Sequence, residues 1–60
     1  YLDLAIDSYK QAIKINPGYV ETVKSDYAEA YYFQGISLHT RGNRKAAIAS
    51  YHQAIQIMGP

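Results

Sequence analysis

Apolar side chains recur at Leu2, Ala5, Ile6, Tyr9, Ala12 and Ile13, the i, i+3, i+4, i+7 spacing that draws one stripe down a helix. Asp3, Asp7, Lys10 and Lys14 fall off that stripe. Asp3 and Asp7 repel slightly across one turn but suit the positive end of the helix dipole. Asn16-Pro17-Gly18 ends the pattern, because Pro17 has no N–H and disfavours helix in Asn16. A second stripe uses Ala47, Ile48, Tyr51, Ala54, Ile55 and Met58 and stops at Gly59-Pro60. Its start is Arg41-Gly42-Asn43, with Asn43 or Gly42 as N-cap.

The two stripes are one element used twice. "AIDSYKQAIKI" (Ala5 to Ile15) aligns with "AIASYHQAIQI" (Ala47 to Ile57), with eight of eleven positions identical at an offset of forty-two. A third helical pattern lies between them, clearest from Tyr27 to His39, with Tyr27, Ala30, Tyr31, Gln34 and Leu38 on one face. Gly35 inside it costs about 1 kcal/mol relative to Ala and suggests close approach of another helix.

The middle helix has two possible starts. Gly18-Tyr19-Val20-Glu21-Thr22 is echoed by Asp26-Tyr27-Ala28-Glu29-Ala30 eight residues later. If Asp26 caps, Glu29 completes a capping-box-like pair and 18–25 is a loop. If Gly18 caps, Glu21 takes that role and one helix runs from about Tyr19 to Thr40. Val20 and Val23 are in step with Tyr27, which an exposed loop has no reason to arrange, so the long helix is favoured.

Sixty residues is less than an ordinary domain, and a chain of this size buries only about 60% of its unfolded surface. Without cysteine it has no disulfide or thiolate metal site. No apolar run is long enough to cross a membrane, and no signal-peptide pattern is present. Tyr1 and Leu2 are already in helical step, so a piece of a longer protein is expected. The cytoplasm is the weakly favoured compartment.

The net charge of +1 gives no sign of a nucleic-acid or membrane partner. Its distribution is uneven: the first thirty residues carry −2, whereas the last thirty hold Arg41, Arg44 and Lys45, no acid, and +3. This is either chance in a short window or a pair of complementary ends. The cluster Arg41, Arg44, Lys45 lacks the wider basic field that phosphate binding needs.

Catalytic patterns are missing. His39 and His52 have no carboxylate at metal-ligand spacing. Ser8, Ser37 and Ser50 sit in helix interiors without a nucleophile elbow. Gly42-Asn43-Arg44-Lys45 lacks the second glycine and the strand of a phosphate loop. No enzyme activity, cofactor, metal or small-molecule substrate is expected.

The residues resemble a tetratricopeptide repeat, whose helix-turn-helix unit reads W-x2-L-G-x2-Y, then A-x3-F, a second Ala, and Pro. Tyr31-x2-Gln34-Gly35-x2-Leu38 follows the first helix in pattern, with Gly35 identical and Gln34 and Leu38 departing. Ala47-x3-Tyr51 with Ala54 matches the second helix, and Ala5-x3-Tyr9, Ala12 and Pro17 form the cleaner earlier copy. Gly42 matches the glycine between the helices, whereas Gly59 stands where Pro belongs. The resemblance implies an all-α α-solenoid fragment: residues 1–17 as the second helix of one unit, 26–60 as a complete unit, and 18–25 as an eight-residue insertion extending the helix. The period of forty-two exceeds the family's thirty-four by that insertion.

The resemblance also implies a protein–protein interaction scaffold. Repeat packing would use Ala5, Tyr9, Ala12, Pro17, Tyr31, Gly35, Leu38, Ala47, Tyr51 and Ala54. A peptide groove would be lined by Glu29, Tyr32, Phe33, Ile36, His39 and Thr40. The family members that grip a chaperone's terminal carboxylate have Lys, Asn and Arg where Tyr32, Phe33 and Ile36 stand, so an apolar or aromatic partner fits better here. Phe33 and Ile36 could instead pack on a neighbouring repeat. Self-association through exposed stacking faces is one alternative function, and an RNA-binding helical repeat is another.

Overall fold

A computed structural model describes residues 2–59, with side chains from Asp3 onward. It holds helix α1 (Leu2–Ile15), a 3-10 turn (Pro17–Tyr19), helix α2 (Val20–Thr40) and helix α3 (Arg44–Met58). The described residues are all-α, with no strand among them. The three helices lie side by side with α2 in the middle, in a slab of 35 × 26 × 14 Å. The thinnest dimension is little more than one helix diameter, so among the described residues no second layer covers either face.

Each boundary has a local cause. α1 stops before Pro17, and the turn closes when the Tyr19 N–H donates to Asn16 O at 2.9 Å. Neither proposed cap of α2 is used. Gly18 lies inside the 3-10 turn, Asp26 lies within the helix, and Tyr19 stands at the cap with no side-chain hydrogen bond. The 3-10 turn already sets helical dihedrals, so the chain runs straight into α2 without a capping oxygen.

At the other end of α2, Gly42 N–H donates to His39 O and Asn43 N–H donates to Leu38 O, both at 2.9 Å. These two bonds form a Schellman closure, and Gly42 takes the φ of +83° that it requires. Gly42 therefore ends α2, and Asn43 caps α3 by accepting from the Ala46 N–H at 3.4 Å. α3 ends where Gly59 reaches φ +86°.

The core runs along both flanks of α2. Ile6, Ala28, Ala30, Tyr31 and Ala54 form a buried cluster, with Tyr9, Tyr27 and Ile57 packed against it. Towards α1, the Tyr9 and Tyr27 ring centroids are 5.7 Å apart, those of Tyr27 and Tyr31 are 5.4 Å apart, and Lys10 Nζ sits 5.9 Å from the Tyr31 ring. Towards α3, Gly35 meets the Tyr51 ring directly, which is the close approach expected of a glycine inside a helix. Because α2 is buried on two sides, no single stripe describes it: Val23 and Tyr31 belong to the expected face, but Ala28 and Gly35 are equally buried.

The expected stripe of α3 needs correction. Ala47 and Ala54 are buried, but Ile48, Ile55 and Met58 are exposed. Ser50 takes the interior place instead and is only 6% exposed.

Candidate functional site

α2 has one face that neither neighbour covers. Tyr32, Phe33 and Ile36 stand on it with 53%, 48% and 39% of their surface exposed, and Glu29, His39 and Thr40 are exposed as well. The helix places them there because Tyr31 and Gly35, one residue before Tyr32 and Ile36, are turned into the interior. The Tyr32 ring is flanked by Phe33 at 6.2 Å and Tyr51 at 5.5 Å between centroids, so three aromatic rings run from α2 onto α3. Thr40 Oγ spends its proton on Ile36 O at 2.9 Å.

Beside this face, α2 and α3 enclose an open trough of about 760 Å³. Ala28, Glu29 and Tyr32 line one wall, and Tyr51, Ile55 and Met58 line the other. The lining is apolar apart from the Glu29 carboxylate and the hydroxyls at its edge. Glu29 and Tyr32 thus join the trough, whereas Phe33, Ile36, His39 and Thr40 lie outside it.

The expected packing residues divide by depth. Tyr31, Gly35, Ala47 and Ala54 are buried, and Ala5, Tyr9, Ala12, Leu38 and Tyr51 are half-buried. Pro17 is exposed, so it serves the turn between α1 and α2 and does not fill the interior.

The sequence reading missed a polar relay. Gln34 Nε2 donates to Asp3 Oδ1 at 2.7 Å, and Gln34 Oε1 accepts from Ser50 Oγ at 3.0 Å. One amide therefore ties all three helices together and supplies the partner that buried Ser50 requires. The available signal was Gln34 itself, a polar residue at the place of an apolar one.

The Tyr27 hydroxyl is pushed up to about 12, first by burial and then by the hydrogen bond and charge of neighbouring Tyr31. Among the described residues no three His, Asp or Glu side chains gather as a metal site would need, and His39 and His52 are both exposed. Among them, too, no helix is long and apolar enough to cross a membrane. The exposed face of α2 is aromatic and apolar at Tyr32, Phe33 and Ile36, with Glu29, His39 and Thr40 beside them.

A family model described as tetratricopeptide repeat matches residues 1–19 and 28–57. The chain belongs to the tetratricopeptide repeat family. These repeats generally mediate protein–protein interactions, and the family's architecture is the helix-turn-helix pairing of α2 with α3. Searches of the curated proteins and of the solved structures give no match to this chain.

Proposed function

We propose that this tetratricopeptide repeat chain is a non-catalytic interaction scaffold that presents Glu29, Tyr32, Phe33, Ile36, His39 and Thr40 to an apolar or aromatic peptide or helix. The supporting observation is the exposed run of Tyr32, Phe33 and Ile36 on a helix whose other sides are held by α1 and α3. A helix held on two sides loses little freedom on binding, and aromatic side chains dominate interface energetics. The domain reading that goes with this is residues 1–17 from one unit, 26–60 as a complete unit, and an eight-residue insertion at 18–25. The unmatched stretch between residues 19 and 28 supports it.

A displayed library of random peptides, selected on the immobilised chain, tests the proposal. Selected peptides should be rich in apolar and aromatic residues and lose roughly tenfold or more in affinity for Tyr32→Ala or Phe33→Ala. Peptides that bind both variants as well as the parent chain would overturn it.

Self-association is a second reading, favoured by Leu4 and Ile15 on α1, which are 70% and 83% exposed. Sedimentation across concentration checks it. A mass that rises and falls back on Ile15→Lys supports that reading.

A further inference from the structure

The charges of this chain, uneven between its halves, fall in order along the exposed face of α2. Thr22, Asp26, Glu29, Phe33, Ile36 and Thr40 follow one another at alternating steps of four and three, and all six are exposed. That is the spacing of the seam by which two helices pack side by side. Its middle is apolar, at Phe33 and Ile36, with Tyr32 beside them. Its early end is acidic, at Asp26 and Glu29. Its late end carries Arg41, with His39 beside Thr40.

Both charged ends are left open along the helix. The residues three and four away from Glu29 are Ser25, Asp26, Tyr32 and Phe33, so no base stands next to it on α2. Arg41 folds back, its Nε donating to Ser37 O at 3.4 Å, which keeps the guanidinium level with the last turn of α2. Residues 31–60 contain no acid to meet it. Asp3 of α1 does reach α2, but at Gln34, about 140° round the helix from Glu29.

This seam is its own complement. A second α2, antiparallel and in register about a point between Phe33 and Ile36, sets Phe33 against the partner's Ile36. It sets Glu29 against the partner's Thr40, level with the side chain of the partner's Arg41. The two-fold axis repeats each contact. A parallel pair would set Glu29 against Glu29 and Arg41 against Arg41, so the charges select the antiparallel one.

We propose that the exposed face of α2 pairs with the same face of a second copy, antiparallel, with Phe33 and Ile36 at the centre and a Glu29–Arg41 ion pair at each end. From Glu29 to Thr40 the contact is about 17 Å long, well short of the roughly 1,600 Å² of a standard interface, so the pair is weak and exchanging. It occupies the face assigned above to a peptide, so pairing and peptide binding exclude one another. The pairing goes beyond the peptide reading and does not depend on it, nor on Leu4 and Ile15 of α1.

The test is sedimentation of the full chain and of two charge-reversed variants, Glu29→Arg and Arg41→Glu. The parent chain should dimerise reversibly, with a midpoint between about 10 µM and 1 mM for so small a contact. Either variant alone puts like charges at both ends and should raise the dissociation constant about tenfold or more. Mixed one to one, the two variants bring opposite charges together at both ends, so the mixture should dimerise at least as tightly as the parent. That recovery also shows that both variants are folded. Phe33→Asp should abolish pairing while circular dichroism stays unchanged, because the side chain is exposed. A parent chain that stays monomeric through that range, or a mixture that pairs no more tightly than its components, overturns the proposal. So does a dimer that Ile15→Lys dissociates and Phe33→Asp does not. Failure to select peptides on a chain that pairs as described removes the peptide reading and leaves the pairing in place.

Discussion

The ring of Tyr51 lies so close to Gly35 that a Cβ there would come within 2.6 Å of its Cε1 and 2.7 Å of its Cδ1. Real side chains do not approach that closely, so Gly35→Ala must push the ring aside. Tyr51 also packs at a tilt against Tyr32 and is half-buried, which limits where it can go. Overpacking of this kind costs about 1–3 kcal/mol, and the gain in helix propensity returns at most about 1. Gly35→Ala should lower the thermal midpoint, whereas in a Tyr51→Leu background it should be neutral or stabilising. Thermal melts of the two single variants and the double variant give the coupling.

The Asp3–Gln34–Ser50 relay makes a polar residue preferable to the apolar one the family pattern has. Gln34→Leu should cost roughly 1–2 kcal/mol, because it strands the buried Ser50 hydroxyl. Adding Ser50→Ala removes the orphan and should recover most of the loss. Chemical denaturation of the four-member cycle measures the coupling, and strict additivity would show that the relay contributes nothing.

The hinge between α2 and α3 rests on two adjacent residues with different tasks. Gly42→Ala forces a side chain into φ +83° and should cost about 1 kcal/mol or more. Asn43→Ala removes the acceptor for Ala46 N–H and should cost about 0.5–1 kcal/mol, at the low end for a cap because the bond is 3.4 Å long. Exchanging the two residues should cost more than either change. Midpoints of denaturation provide the comparison.

Tyr27 gives the fold a defined alkaline limit. Its hydroxyl ionises at about 12 in the fold and at about 10 in the unfolded chain. Above pH 10 the unfolded state therefore loses this proton first, and stability falls as pH rises towards 12. Below pH 10 the contribution is complete. Ultraviolet titration of tyrosinate should show one late tyrosine that Tyr27→Phe removes, and the alkaline loss of stability should flatten in that variant.

The three helices were legible because their signals were local or repeated: Pro17, Gly42, Asn43 and the forty-two-residue echo. The depth of individual side chains was not. Ile6 and Ile48 occupy the same place in the same motif, yet one is buried and the other open, because burial depends on whether a neighbour lies above. The capping residues proposed for α2 failed for a related reason: Pro17 had already wound the chain into a 3-10 turn, so no side-chain oxygen was needed. The exposed Tyr32–Phe33–Ile36 run followed from assigning positions by the family pattern. The link from Gln34 to Ser50 spans sixteen residues and two helices, and no periodicity connects them.

Helix α2 has 21 residues and α3 has 15, so α2 is longer by about 9 Å. Ser25 and Gly59 both line the trough, and α2 begins five residues before Ser25, at Val20. The chain therefore joins α1 from a raised step, and α1 and α3 flank α2 at different heights. Anything laid across the three helices would meet their ends at unequal levels.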